Sequence, residues 1–173
     1  MGAVVLPALI PITELRRGMS GREFLTAAVA GYEIGPRVGL CMGPEHIASG
    51  WHSGATLGVF SAAAGAARGL KLDVNETIHA LGIAGTQAAG LMAAQFGAMV
   101  KRMHAGRAAQ SGLYGALLAE TGFTGIVAVL ESGAKGRPEP APASTLSRHP
   151  LFCHWRPDDL EELERAFRET SLP

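Results

Sequence analysis

The chain has few cysteines, few aromatic residues and few charges. Its two cysteines, Cys41 and Cys153, supply neither a disulfide framework nor the paired spacing of a zinc site, and this usage favours a reducing, cytoplasmic environment. Charged residues make up 17% of the chain and the formal net charge is +0. Because there is no basic excess to neutralise phosphates, we expect no binding of nucleic acid.

Several enzyme motifs are also missing. The chain has no GxxxxGK[ST] phosphate-binding loop and no GxSxG nucleophile elbow, so it lacks the signatures of P-loop nucleotide enzymes and of α/β-hydrolases. His46 and His52 have only Glu45 nearby at a spacing that suits a metal ligand, and we therefore predict no bound metal. The start of the chain, Met1–Pro7, lacks the basic segment of a secretory signal.

The longest uncharged stretch has two interpretations. Residues 80–100 contain no Asp, Glu, Lys or Arg and, at about 20 residues, are long enough to span a bilayer. Thr86, Gln87 and Gln95 lie within the stretch, and its many alanines and glycines contribute little to membrane insertion. We favour a buried helical core and predict no membrane association.

Small residues are abundant. Glycine accounts for 23 of the 173 residues, about twice its usual share of roughly 7%. Aromatic residues make up only 6% of the chain, so the core must form by close approach of backbones instead of by large side chains. The composition therefore indicates helices packed tightly across alanine and glycine faces.

Two capping boxes mark the starts of helices. Ser20 with Glu23, and Asp73 with Glu76, have the spacing at which a short polar side chain and a glutamate satisfy free N–H groups of a first helical turn. Before the second box we expect helices over 4–15 and over 56–70, a helix from 20 that ends between 31 and 36, and a loop over 39–51. After it we expect a helix carrying Ile78, Leu81, Ala88 and Met92, another from Gly106 or Arg107 to a left-handed Gly122, and a short helix or strand over 127–130.

The composition changes near residue 133. Residues 133–150 are rich in Gly, Pro, Ser and Ala, which predicts a linker, and a highly charged helix is expected to begin at Pro157. We therefore divide the chain into a helical domain over 1–132 and a linker with a charged helix over 133–173.

The first polar segment of the small-residue region is residues 50–56. It contains His52 between Trp51 and Ser53, directly before an expected helix. An imidazole titrates near neutral pH and is suited to proton transfer. A loop histidine that bonds a backbone carbonyl has the same local sequence, so the residues alone leave both interpretations open.

The second polar segment is residues 101–107. Lys101 and His104 are three positions apart and would share one face of a helical turn. With the start of the expected helix at Ala105–Gly106, they would form a site for a carboxylate or phosphate. A solvated basic turn, extended by Arg102 and Arg107, is the alternative, and spacing does not distinguish the two.

Four blocks in this order resemble the MmgE/PrpD family of small-carboxylate enzymes. The blocks are residues 20–33, the Gly50-Trp51-His52 turn, residues 80–91 and residues 101–112. The resemblance implies an all-α helical domain whose helices pack through alanine and glycine. It also implies a metal-independent, cofactor-free, homodimeric enzyme, a lyase of the 2-methylcitrate dehydratase kind, that acts on a small di- or tricarboxylate.

The resemblance also suggests site residues. His52 matches the active-site histidine of the family's glycine-aromatic-histidine motif, and Lys101 matches its active-site lysine, so both are expected to be catalytic. His104 matches the histidine that follows the lysine. We expect His104 and Thr56 to bind substrate, Lys101 to neutralise a substrate carboxylate and His52 to transfer a proton.

The chain departs from the family pattern in two ways. Ser53-Gly54 follows His52 where the family often has Pro-Thr, although Thr56 keeps a hydroxyl nearby. An upstream stretch and the family's second, α+β domain have no counterpart here, so we predict a shortened member. The alternatives are a non-catalytic helical dimerisation scaffold derived from such an enzyme, and a family epimerase or decarboxylase.

Overall fold

The fold is a bundle of α-helices. The computed structural model describes residues 1–130, and the regular elements in this range are all helical. They are α1 (Gly2–Leu15), α2 (Gly21–Met42), α3 (Glu45–Ala48), α4 (Ser53–Thr56), α5 (Gly58–Leu70), α6 (Val74–Gly85) and α7 (Val100–Glu120), with a short 3-10 helix over Met92–Gln95. The prediction of an all-α fold is confirmed.

Both predicted capping boxes are present. The Ser20 hydroxyl accepts a bond from the Glu23 N–H at 3.2 Å, and the Glu23 carboxylate accepts one from the Ser20 N–H at 2.8 Å. Asp73 and Glu76 make the same two bonds, each at 2.8 Å. These reciprocal bonds fix the first turns of α2 and α6, because they satisfy N–H groups that have no partner within the helix.

The predicted end of α2 is wrong. The helix continues through Pro36 to Met42, so the loop expected over 39–51 is also wrong across 39–42 and across α3. Gly31 and Gly35 lie against Ser61 of α5, where an added Cβ would clash with that residue. The glycines therefore serve close packing of α2 on α5, and this tertiary contact outweighs the hydrogen bond that a proline removes.

The boundaries of α6 and α7 also differ from expectation. α6 ends at Gly85, so Ala88 and Met92 lie beyond it, and the Thr86 hydroxyl bonds back to the Ile83 carbonyl oxygen at 2.7 Å. The buried helical core expected over residues 80–100 is therefore wrong after Gly85, since Leu91, Phe96 and Met99 are exposed. α7 begins at Val100, not at Gly106 or Arg107. Lys101 therefore lies in the first turn of α7, and the helix start expected at Ala105–Gly106 does not exist.

The end of α7 is confirmed. Gly122 has φ 85°, its N–H bonds to the Ala119 carbonyl at 2.9 Å, and the Phe123 N–H bonds to the Leu118 carbonyl at 3.0 Å. This pair of bonds is the Schellman arrangement, which favours glycine at the left-handed position. The apolar run over 127–130 forms turns, so the prediction of helix or strand there is wrong.

Helix α5 is the centre of the bundle. It contacts α1, α2, α6 and α7, and nearly all of its residues are buried. Gly112 of α7 lies against Ala62 and Ala63 of α5, where a Cβ would clash with both. The alanine and glycine faces are thus used within the chain, as the composition predicts.

The linker and the charged helix assigned to residues 133–173 lie outside the described residues. Within residues 1–130, none of the helices combines the length and apolar character that crossing a bilayer requires.

Candidate active site

Hydrogen bonds hold the backbone of His52 on both sides. Its N–H donates to the Gly90 carbonyl oxygen at 3.0 Å, and its own carbonyl oxygen accepts the N–H groups of Ala55 and Thr56 at 2.9 and 3.1 Å. Trp51 forms an antiparallel bridge with Leu91. His52 is therefore fixed between the start of α4 and the connection that leads from α6 to α7.

The ring of His52 meets the ring of His104. Their Nδ1 atoms lie 3.1 Å apart, and the ring centroids lie 5.0 Å apart with the planes tilted by 40°. A hydrogen bond at this distance requires one Nδ1 to donate and the other to accept, so the pair holds one proton between the two rings. His104 is 8% exposed, whereas His52 is half-buried and forms the more accessible side of the pair.

His52 is biased toward its neutral form. Partial burial lowers the pKa of His52 most, and the charges of Lys101 and of His104 lower it further. A neutral imidazole at physiological pH has one nitrogen that accepts a proton and one that donates. An anion bound beside the pair would oppose the Lys101 charge and favour protonation of His52.

Lys101 contributes a positive charge to this group of residues. It is partly exposed in the first turn of α7, one turn before His104. Its charge contributes to lowering the pKa of His52. The structure thus brings together three of the four residues that the sequence nominates, although His52 and His104 are 52 positions apart. A neutral proton-transfer group beside an ammonium group suits a reaction at a carbon that carries carboxylates.

Thr56 lies next to this group but its hydroxyl has other partners. The side chain is buried, with Oγ1 2.7 Å from Nε2 of His46 and donating to the His52 carbonyl oxygen at 3.2 Å. The role of Thr56 in substrate binding stays a prediction. The contact with His46 was not predicted, because the sequence presents His46 only as a possible metal ligand and its bond to Thr56 depends on the turn between α3 and α4.

The geometry also bears on metal binding. Across residues 1–130, the structure contains no cluster of three or more His, Cys, Asp or Glu side chains arranged to bind a metal ion. His46 and His52 each have another protein partner.

Comparison with protein families identifies the chain. The model of the MmgE/PrpD N-terminal domain matches residues 1–137, a range that contains both polar segments and every described helix. This chain belongs to the MmgE/PrpD family. The match agrees with the helical fold and with the order of the sequence blocks.

Relatives of this MmgE/PrpD chain are named as cis-aconitate decarboxylases or as proteins like them. A cis-aconitate decarboxylase-like protein, oryM, of Aspergillus oryzae is 46% identical over 141 residues, which cover 78% of this chain and 29% of the relative. A cis-aconitate decarboxylase of Aspergillus terreus is 41% identical over 139 residues, which cover 78% of this chain and 28% of the relative. The chain therefore spans less than a third of the length of these relatives.

Removing the charge of Lys101 is expected to raise the pKa of His52. Lys101→Met eliminates the second of the three causes that lower it, while partial burial remains, so we expect an incomplete return toward the ordinary value. His52 would then become protonated at a higher pH than in the wild type. A pH titration of the histidine ring signals by NMR measures this shift.

The matched control for that titration is Lys71→Met. The Lys71 ammonium pairs with Glu23 at 2.7 Å, and its removal should leave the titration of His52 unchanged. Equal pKa values for His52 in the wild type and Lys101→Met would contradict an electrostatic link between the two residues.

Proposed function

We propose that this chain carries the helical part of a lyase site for a small di- or tricarboxylate. The observation that supports the proposal is the His52–His104 pair, with Nδ1 atoms 3.1 Å apart, within reach of the Lys101 charge. Lys101 binds a substrate carboxylate, His52 transfers the proton and His104 contributes to substrate binding. Thr56, whose hydroxyl bonds to His46 and to the His52 carbonyl, contributes to substrate binding through His52. No metal or organic cofactor takes part in this proposal.

The chemistry of such substrates explains the need for these groups. In a dehydration, a base removes the proton beside a carboxylate and an acid protonates the departing hydroxyl. In a decarboxylation, the bond to one carboxylate breaks, carbon dioxide leaves with the electron pair remaining on carbon, and an acid protonates that carbon. Both reactions develop negative charge that a lysine stabilises, and both need a group that exchanges one proton near neutral pH.

The relatives favour decarboxylation over dehydration. The matched proteins of Aspergillus terreus and Aspergillus oryzae are a cis-aconitate decarboxylase and a cis-aconitate decarboxylase-like protein. We therefore place cis-aconitate before 2-methylcitrate among candidate substrates. Because the chain spans less than a third of these relatives, turnover by this chain and its substrate are both part of the proposal.

We also propose that the chain forms a homodimer in the cytoplasm. The sequence favours a dimer through alanine and glycine faces. Gly31, Gly35 and Gly112 on these faces pack within the bundle, so we propose a different surface for the contact between subunits. Phe96 and Met99, which are 78% and 93% exposed, support an apolar contact near the start of α7. Analytical ultracentrifugation tests the dimer, and a monomer at all concentrations would contradict it.

The test of the proposed function is consumption of substrate by the 173-residue chain. We expect release of carbon dioxide from cis-aconitate near neutral pH, and little or no dehydration of 2-methylcitrate. His52→Gln keeps a polar side chain but removes the titrating group, so it should lower turnover at least about 100-fold. Carbon dioxide release and the absorbance of the unsaturated acid are measured separately.

The non-catalytic scaffold makes a different prediction. A scaffold consumes neither acid, and His52→Gln then changes nothing but stability. Retained binding without turnover would identify a carboxylate-binding scaffold. If neither cis-aconitate nor 2-methylcitrate reacts or raises the melting temperature, the proposed lyase function is wrong.

A further inference from the structure

His46 is a buried histidine that the motifs of the candidate site do not include. It lies in α3 and is 8% exposed. Its Nε2 lies 2.7 Å from the Thr56 hydroxyl oxygen, and its backbone oxygen accepts a bond from the Trp51 N–H at 3.2 Å. One of these contacts lies just before His52 in the chain and the other lies four residues after it, so His46 holds the His52 segment from both sides.

A consistent set of bond directions can be assigned at the Thr56 hydroxyl. Thr56 Oγ1 donates to the His52 carbonyl oxygen at 3.2 Å, and a hydroxyl has a single proton to donate. With that proton used, the Thr56 oxygen accepts from Nε2 of His46 at 2.7 Å, and Nε2 carries a proton in this arrangement. The result is a chain of two bonds, from His46 to Thr56 and from Thr56 to the His52 carbonyl, in which each bond polarises the next.

This chain of bonds helps to fix the backbone of His52, from which the ring extends toward His104. The His52 carbonyl oxygen also accepts the first N–H groups of α4, so the Thr56 hydroxyl adds a side-chain bond to the start of that helix. The His52 N–H is held by Gly90 at 3.0 Å. With its carbonyl and its N–H both bonded, the backbone of His52 is held in place while its Nδ1 lies 3.1 Å from Nδ1 of His104.

We propose that His46 is a positioning residue that orients the His52 ring toward His104 through the Thr56 hydroxyl. His46 is buried and makes its bonds to Thr56 and to the backbone of Trp51, so its effect on a ligand is indirect. The proposal rests on the proposed function only for that effect on a ligand; the orientation of His52 is a property of the free protein.

A donor-keeping and a donor-removing variant test the proposal on the full 173-residue chain. In His46→Gln the side-chain amide nitrogen can donate from about the position of Nε2, whereas His46→Met fills similar space without a donor. We expect His46→Met to shift the NMR signals of the His52 and His104 rings and His46→Gln to restore them. Tricarballylate should bind His46→Met about fivefold more weakly than the wild type and His46→Gln within about twofold.

Variants of Thr56 provide an independent version of the same comparison. Thr56→Val removes the hydroxyl and should shift the same ring signals, whereas Thr56→Ser should keep them. If the His46 variants do not fold, the two Thr56 variants still test whether the Thr56 hydroxyl orients the His52 ring. The proposal is overturned if His46→Met and His46→Gln perturb the rings equally at equal thermal stability, or if Thr56→Val leaves both rings unchanged.

The outcomes separate this proposal from the proposed function. If tricarballylate fails to bind the wild type, the carboxylate site is wrong, yet the ring signals still decide whether His46 positions His52. If tricarballylate binds and the ring signals shift equally in His46→Gln and His46→Met, the carboxylate site is supported and His46 is only a packing residue.

Discussion

Replacing Gly112 with alanine is expected to lower the free energy of unfolding by about 3 kcal/mol. A Cβ at this position would lie 2.5 Å from the Ala63 backbone nitrogen and 2.7 Å from the Val59 carbonyl oxygen, and would also clash with the Cβ of Ala62. Two of these atoms belong to the backbone of α5, which contacts four other long helices. Neither helix can move aside without disturbing the packing of the bundle, so the clash outweighs the better helix propensity of alanine.

Gly106→Ala is the matched control because it lies in the same helix. Gly106 is exposed and a Cβ there meets no atom within 4 Å, so the substitution should stabilise the protein by about 0.5–1 kcal/mol. Urea unfolding followed by circular dichroism measures both variants. Stability changes of the same sign for Gly106→Ala and Gly112→Ala would mean that the close contact between α7 and α5 is not present in solution.

The parts of the fold that sequence predicts best are those with local causes. The capping boxes at Ser20 and Asp73 need only residues three positions apart, and the left-handed Gly122 needs only the preceding turn. These signals correctly mark one end of α2, of α6 and of α7. They are independent of how the helices pack, which explains why they hold.

The failed boundaries have tertiary causes. The Gly35-Pro36 pair indicates a helix end by local rules, but Gly35 is required where α2 crosses Ser61 of α5, and the helix continues to Met42. Similarly, Gly106 does not begin a helix, because α7 starts six residues earlier at Val100. Within residues 1–130, glycine occurs both at close helix contacts and at turns, and the local sequence does not distinguish these uses.

Only part of the geometry of the candidate site follows from the sequence, for the same reason. The family resemblance nominated His52, Lys101 and His104, whereas spacing alone left a solvated basic turn as an alternative for the second segment. The pairing of His52 with His104 depends on how α4 and α7 approach each other. His46 gave no local signal, since its partner is a hydroxyl ten positions away across a turn.

Lys101→Met is expected to have the largest effect on ligand binding and turnover. Methionine has similar length and no charge, so the change removes the ammonium group while preserving the apolar part of the side chain. Loss of one charged hydrogen bond to a carboxylate costs roughly 1.5–3 kcal/mol, which corresponds to about 10- to 150-fold weaker binding. Turnover of cis-aconitate should fall further, by about 100- to 1,000-fold, because the same charge stabilises the developing anion.

Arg102→Met separates a specific role of Lys101 from a general effect of positive charge. Arg102 is the next residue in α7 and is exposed, and the charges that lower the pKa of His52 are those of Lys101 and His104. We therefore expect Arg102→Met to change tricarballylate affinity by less than about threefold, as for a screened surface charge. Isothermal titration calorimetry of both variants gives the comparison. Equal losses from the two variants would mean that α7 attracts anions through its overall charge, and Lys101 would then have no assigned place in a carboxylate site.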